Sequence, residues 1–154
     1  INIHIGGVYG DKVSAMDRFC TNFHRLPNSV KSRLTVENDD KASMYSVVDL
    51  YEGVYKVIGI PIVFDYHHHR FNTGGLSEED ALEVAISTWG DVVPVVHYSE
   101  SRNIEQEDDK IRPQAHSDYV YDYINTYDNR VDIMVEAKAK ELAVLKYKEV
   151  HGIL

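Results

Sequence analysis

The chain has 154 residues, 44% of them hydrophobic and 27% charged. That composition supports one packed core and excludes a disordered chain. No apolar run approaches the ~20 residues of a membrane span. The opening INIHIGG lacks the basic region and cleavage site of a signal peptide, and the single cysteine, Cys20, excludes an internal disulfide. The net charge of −9 argues against a simple nucleic-acid binder, although bound divalent cations would add positive charge that a residue count omits. One intracellular domain, residues 1–154, without a membrane partner, is the expectation.

Short apolar runs alternate with amphipathic ones. Ile3–Ile5 reads as a strand, followed by a helix in KVSAMDRFCTNFHRL, where Cys20 falls on the apolar face as a small core residue. LTVEN (34–38) reads as a second strand, and SVVDLYEGVYKVIG as a helix with Ser46 at its N-cap. PIVFD (61–65) is a third strand. After a Gly-Gly loop comes the helix LSEEDALEVAISTW, which opens on a capping-box-like Ser77 and Asp80. VPVVHYS (93–99) is a fourth strand, followed by EQEDD (105–109), a solvated acidic loop, and a helical stretch, SDYVYDYINTY. VDIMVEA (131–137) and KAKELAVLKYKEV complete five βα units. Strands that are apolar throughout and alternate with helices predict a parallel sheet covered on both faces.

Polar residues choose between an open doubly wound sheet and a barrel. Each strand ends in a metal-ligand residue type: His4, Glu37, Asp65, His97 and Glu136. Successive donors lie about one βα unit apart. Parallel α/β folds build their sites at the C-terminal strand ends. Five donors converge if the ends form a ring, not if the strands diverge. The expected fold is therefore α/β, the last five βα units of a TIM (β/α)₈ barrel, a partial barrel. An unpaired parallel edge over an apolar flank predicts self-association.

Histidine and carboxylate donors without thiolates suit Zn²⁺, Mn²⁺ or Fe²⁺ at a reactive site better than a structural zinc. Several carboxylates among histidines favour a multinuclear centre. Two ions about 3.5–4 Å apart hold and hydrolyse phosphate esters. Each donor also has a plainer role: Asp65 as a loop cap, His4 and His97 as satisfied core histidines. In HHH (67–69), neighbours in an extended segment alternate sides, so at most two are ligands. His116, before Ser117 as an N-cap, is a further candidate from the loop after the fourth strand. His24 and His151 read as surface residues, and the tyrosines of YVYDYINTY as packing residues. Basic residues near strand ends, Lys12, Arg70, Arg102, Lys138 and Lys140, are candidate phosphate contacts.

HIGGVYGDK (4–12), RLTVENDDK (33–41), PIVFDYHHHR (61–70), VVHYSES, AHSDYV and MVEAKAKE together resemble the UV damage endonuclease family, DNA repair enzymes on a TIM barrel. The resemblance implies a trinuclear metal centre, with Mn²⁺ first and Zn²⁺ or Mg²⁺ as alternatives. It also implies ATP-independent incision of damaged double-stranded DNA 5′ to UV photoproducts. It makes Glu37 a bridging carboxylate and pairs Asp65 with His68 as D-x-x-H. The implied metal ligands are His4, Glu37, Asp65, His68, His97, His116 and Glu136. Glu37, Asp65 and Glu136 are the candidate catalytic carboxylates; Lys12, Arg70 and Lys138 are the candidate DNA contacts. Two departures stand out. The family's three N-terminal βα units are absent, so a missing N-terminal barrel half or self-association is an expected partner. Val95 stands where relatives carry a lysine near the third metal. A sugar isomerase or epimerase of the same superfamily, or an inactive partner domain, is the alternative reading.

Overall fold

The computed structural model describes residues 1–153. Five strands, β1 (Asn2–Ile3), β2 (Thr35–Glu37), β3 (Ile62–Asp65), β4 (Val95–Tyr98) and β5 (Asp132–Val135), form one sheet in the order β1-β2-β3-β4-β5. Every pairing is parallel. Spatial order equals chain order, so each crossover winds the same way and no reversal point exists. A doubly wound sheet has such a reversal; a barrel does not. The chain is thus α/β, five consecutive βα units of TIM-barrel type, as the donor pattern predicts.

Burial across the sheet marks its centre and its limits. All four residues of β3 are buried, and Val36 and Val96 flank them in the core. At the two outer strands Asn2, Ile3, Asp132, Ile133 and Met134 are exposed. These are open edges, with apolar side chains facing outward.

Helices cover the outer face. Helix α1 (Lys12–Phe23) starts at Asp11, whose side chain accepts from Ser14 N–H, and buries Ala15, Met16, Cys20 and Phe23, Cys20 as the small core residue expected. After α2 (Asn28–Lys31) and β2, the segment read as one helix is three pieces: α3 (Val47–Leu50), a π-helical turn (Tyr51–Tyr55) and α4 (Lys56–Ile58). Ser46 caps it as predicted, in a reciprocal box with Asp49. Within the π turn Gly53 meets α1 so closely that an added Cβ would lie 2.6 Å from Met16. Helix α6 (Glu78–Ser87) begins at Ser77 as predicted and packs Ala81, Leu82 and Ala85 on the sheet. Helix α8 (Glu141–His151) buries Ala143 and Tyr147.

Two further expected elements differ. The HHH run is not extended but lies in a short helix, α5 (Tyr66–Phe71), because Asp65 accepts from His68 N–H and caps it. SDYVYDYINTY forms no helix, so Ser117 is not an N-cap. There the backbone donors are taken by acidic side chains. Glu100 accepts from Tyr121 and Asp122 N–H, and Glu105 accepts from Asp118 and Tyr119 N–H. A donor bound to a carboxylate is lost to an i→i−4 ladder. Glu105, expected in a solvated loop, ends the short helix α7 (Arg102–Glu105) and anchors this segment.

Candidate metal centre

The five strands deliver their donors to one end of the sheet. Glu37 and Asp65 are the last residues of β2 and β3, His97 the third of β4; His4 and Glu136 follow β1 and β5. Glu37, 4% exposed, is the hub. Its Oε1 lies 3.2 Å from His68 Nδ1 and 3.7 Å from His4 Nε2; its Oε2 lies 3.3 Å from His97 Nδ1. Asn2 also donates to it. His97 Nδ1 is 3.1 Å from Glu136, and His116 Nδ1 is 3.8 Å from the other Glu136 oxygen. All seven candidates, His4, Glu37, Asp65, His68, His97, His116 and Glu136, thus form one chain of neighbours. Two triplets are compact: His4, Glu37 and His68, and Glu37, Asp65 and His97, each with donor atoms within 4.8 Å of one another. They share Glu37.

Local structure holds these groups. Asn38, fully buried, accepts from Asp65 N–H at 2.8 Å and donates to Asp65 C=O at 3.0 Å, extending the β2–β3 ladder with a side-chain amide. Its own carbonyl lies 2.8 Å from His68 Nδ1. The capped helix α5 turns His68 back over Glu37, so Asp65 both caps and contributes to the cluster. His116 is delivered by an antiparallel bridge to Ser101, with Arg102 N–H donating to Ala115 C=O and Ser117 N–H to Glu100 C=O. Glu136 N–H continues the β4–β5 ladder to Tyr98.

Electrostatics divide the carboxylates. Burial opposes ionisation of Glu37, but His68, His97 and His4 outweigh it and hold the group well below the usual carboxylate range. Burial pushes Asp65 up to about 7, with Glu37 and Glu136 adding to the effect. Crowded carboxylates cannot all ionise without a cation. Burial depresses His68 and His97, yet the carboxylates facing them raise these to about 9 and about 10. Glu136 is lowered, chiefly by His97. Burial lowers His116.

The donor set fits a divalent cation. It offers imidazole nitrogens and carboxylate oxygens in the mixture that Mn²⁺ and Zn²⁺ accept. Asp65 Oδ2 and His97 Nδ1 are buried with no aligned hydrogen-bond partner, although His97 Nδ1 sits within 3.3 Å of two carboxylates. Buried polar atoms left so are costly. The two other histidines of the run contribute no atom to either triplet. His67 packs against Phe71 and His116 and His69 against Phe64, and burial lowers both.

Sequence reading missed Asp39. It is 6% exposed and lies 3.1 Å from His4 Nδ1. The signal was present: residues two apart at a strand end share a side, and Asp39 is two past Glu37. The basic candidates divide. Lys12 is ion-paired to Asp49 at 2.9 Å. Arg70 lies over the Tyr98 ring, 5.7 Å from its centroid. Arg102 pairs with Asp118 at 3.4 Å. Lys138 and Lys140 are exposed and line a cavity of about 600 Å³ with His116 and Glu136. Val95, paired with Asp132 in the ladder, offers no donor atom.

Consecutive parallel strands that bring histidines and carboxylates together at their C-terminal ends define a barrel-type α/β protein with a polyvalent donor cluster. The chain belongs to the UV-endonuclease UvdE family, whose model matches residues 1–153. It is 37% identical to the UV DNA damage endonuclease of Bacillus cereus (strain Q1) over 96% of its length and 47% of the relative's. To that of Bacillus velezensis it is 39% identical, over 97% and 47%. The solved structure of SacUVDE superposes with a TM-score of 0.80 at 33% identity, covering 100% of this chain and 52% of the other. The chain spans about half the length of the curated relatives it matches.

Proposed function

We propose that this chain is the C-terminal part of the barrel of a UV DNA damage endonuclease, hydrolysing the backbone of damaged double-stranded DNA 5′ to UV photoproducts with bound divalent ions. Mn²⁺ is the preferred ion, with Zn²⁺ or Mg²⁺ as alternatives. The carrying observation is the convergence of two donor triplets on Glu37 in a member of the UvdE family. When bound, such ions provide Lewis acidity and an activated water at neutral pH. His4, Glu37 and His68 would hold one ion, and Glu37, Asp65 and His97 a second, with Glu136 and His116 as further donors. Glu37, Asp65 and Glu136 act as catalytic carboxylates. Glu37 would hold the ions together with the histidines around it, Asp65 is oriented by Asn38 and its own cap, and Glu136 lines the open cavity through which DNA would enter. Lys138 contacts phosphates there; Arg70, which lines a separate cavity with Glu100 and Glu105, and Lys12, already paired to Asp49, contribute less.

The exposed edges β1 and β5 support a partner. Relatives about twice as long offer the simplest one, an N-terminal barrel half that covers both edges; without it, copies of this chain self-associate through them. A DNA substrate implies an intracellular site of action. Among the described residues no helix is long and apolar enough to cross a membrane.

Metal per chain, measured by mass spectrometry after Mn²⁺ loading and desalting, tests the centre. Two ions, falling sharply in Glu37→Ala, are expected. A folded chain without metal overturns the reading. Nicking of UV-irradiated plasmid, with and without an added N-terminal half, then tests the reaction.

A further inference from the structure

We infer that Asp39 is a positioning residue of the centre: it holds the His4 ring by its Nδ1–H, so that Nε2 is presented to the ion shared with Glu37. The inference rests on the metal reading above. His4 needs such a support more than its partners do. His68 and His97 are fixed by burial, their side chains 15% and 11% exposed. His4 follows a two-residue edge strand and its side chain is 41% exposed. Nothing in β1 itself fixes the ring.

The geometry assigns the two ring nitrogens different tasks. Nδ1 lies 3.1 Å from Asp39 Oδ1, and Nε2, on the opposite side, faces Glu37 Oε1 at 3.7 Å. An Nδ1–H donated to a carboxylate fixes the tautomer that leaves the Nε2 lone pair free. Carboxylate partners of ligating histidines orient the ring and increase its basicity, and their loss weakens metal binding about 10–100-fold. Asp39 is suited to this task because it is itself held. It is buried, and its N–H donates to Tyr45 C=O at 2.8 Å, so the loop after β2 sets its position. Its second oxygen, Oδ2, is buried and has no partner. A carboxylate buried with one oxygen idle is costly in a fold, and its other oxygen faces His4.

Asp39→Ala and Asp39→Asn test the inference. Mn²⁺ binding is followed by the loss of the free-ion paramagnetic resonance signal, and the His4 ring nitrogens by NMR of Zn²⁺-loaded, ¹⁵N-labelled protein. Circular dichroism confirms that each variant is folded. We expect the Ala variant to lose about 10–100-fold in affinity at one of the ions, and His4 to lose its hydrogen-bonded Nδ1–H signature. The Asn variant, whose amide oxygen can still accept, should keep that signature and lose less affinity. Unchanged affinity and unchanged His4 resonances in Asp39→Ala overturn the inference alone. Absence of any metal binding by the unsubstituted chain overturns the metal reading, and the inference with it.

Discussion

Replacing Asn38 by Ala should destabilise the chain severely although no large side chain is removed. The amide sits at 0% exposure and bonds both backbone groups of Asp65, at 2.8 and 3.0 Å. Truncation leaves a buried N–H and a buried C=O unpaired. Each carries a desolvation penalty of about 1–3 kcal/mol, of which water entering the vacated space recovers a part. The expected loss is about 3 kcal/mol, against a total near 5–15 kcal/mol for a typical domain. With a urea slope of about 2 kcal/mol per molar, the unfolding midpoint falls by about 1.5 M. Urea titrations followed by far-UV circular dichroism and by the fluorescence of Trp89 measure it. Asn38→Asp should be at least as damaging, because an oxygen would then face the Asp65 carbonyl. A midpoint shift below about 0.3 M in Asn38→Ala would refute the view that this amide clamps the end of β3.

Metal-free protein should lose stability as pH rises above 6.5. His68 and His97 are raised in the fold to about 9 and about 10, so their contribution is complete below 6.5 and is lost as pH climbs through those values. Asp65, raised to about 7, adds a loss in the same direction between 3.8 and 7, whereas the lowered Glu37 contributes above 4.5. Urea midpoints in chelator between pH 6 and 10 should therefore decline, and a flat profile would contradict the ion-pair geometry. Gly74→Ala should cost more than Gly75→Ala. Both glycines have positive φ, but at Gly74 a Cβ would lie 2.6 Å from Ser46 Oγ, whereas at Gly75 it meets nothing within 4 Å. Thermal melts should show about 1–2 kcal/mol for Gly75→Ala and more for Gly74→Ala; equal losses would refute the clash. Light scattering of the chain alone should show self-association through the exposed β1 and β5 edges, and a monodisperse monomer would count against it.

Much of the architecture was legible because it rests on local and periodic signals. Short apolar runs such as IVF and VPVV, alternating with amphipathic ones, read as strands buried on both faces, and their terminal donors marked the converging end. Ser46 and Ser77 announced their helices through capping chemistry. What failed depended on partners distant in sequence. The tyrosine-rich segment 118–127 has helical spacing, but Glu100 and Glu105 take its backbone donors, and no pattern within the segment reveals that. The histidine run read as extended, although the Asp65 cap that makes it helical lies immediately before it. Asp39 was passed over because an aspartate in NDD reads as loop polarity until His4 is placed beside it.

The unreversed strand order has a consequence for how the site is made. Neighbours in space are neighbours along the chain, so a ribosome releases the donors in the order in which they come to touch. His4, Glu37 and His68 are all synthesised once α5 has emerged, and Asn38 already spans β2 and β3. Their shared pocket can form before β4 exists. His97 then docks against a carboxylate already held in place, and Glu136 and His116 close the sequence. Nascent chains halted at successive lengths should therefore acquire cation affinity stepwise, the first step after residue 72.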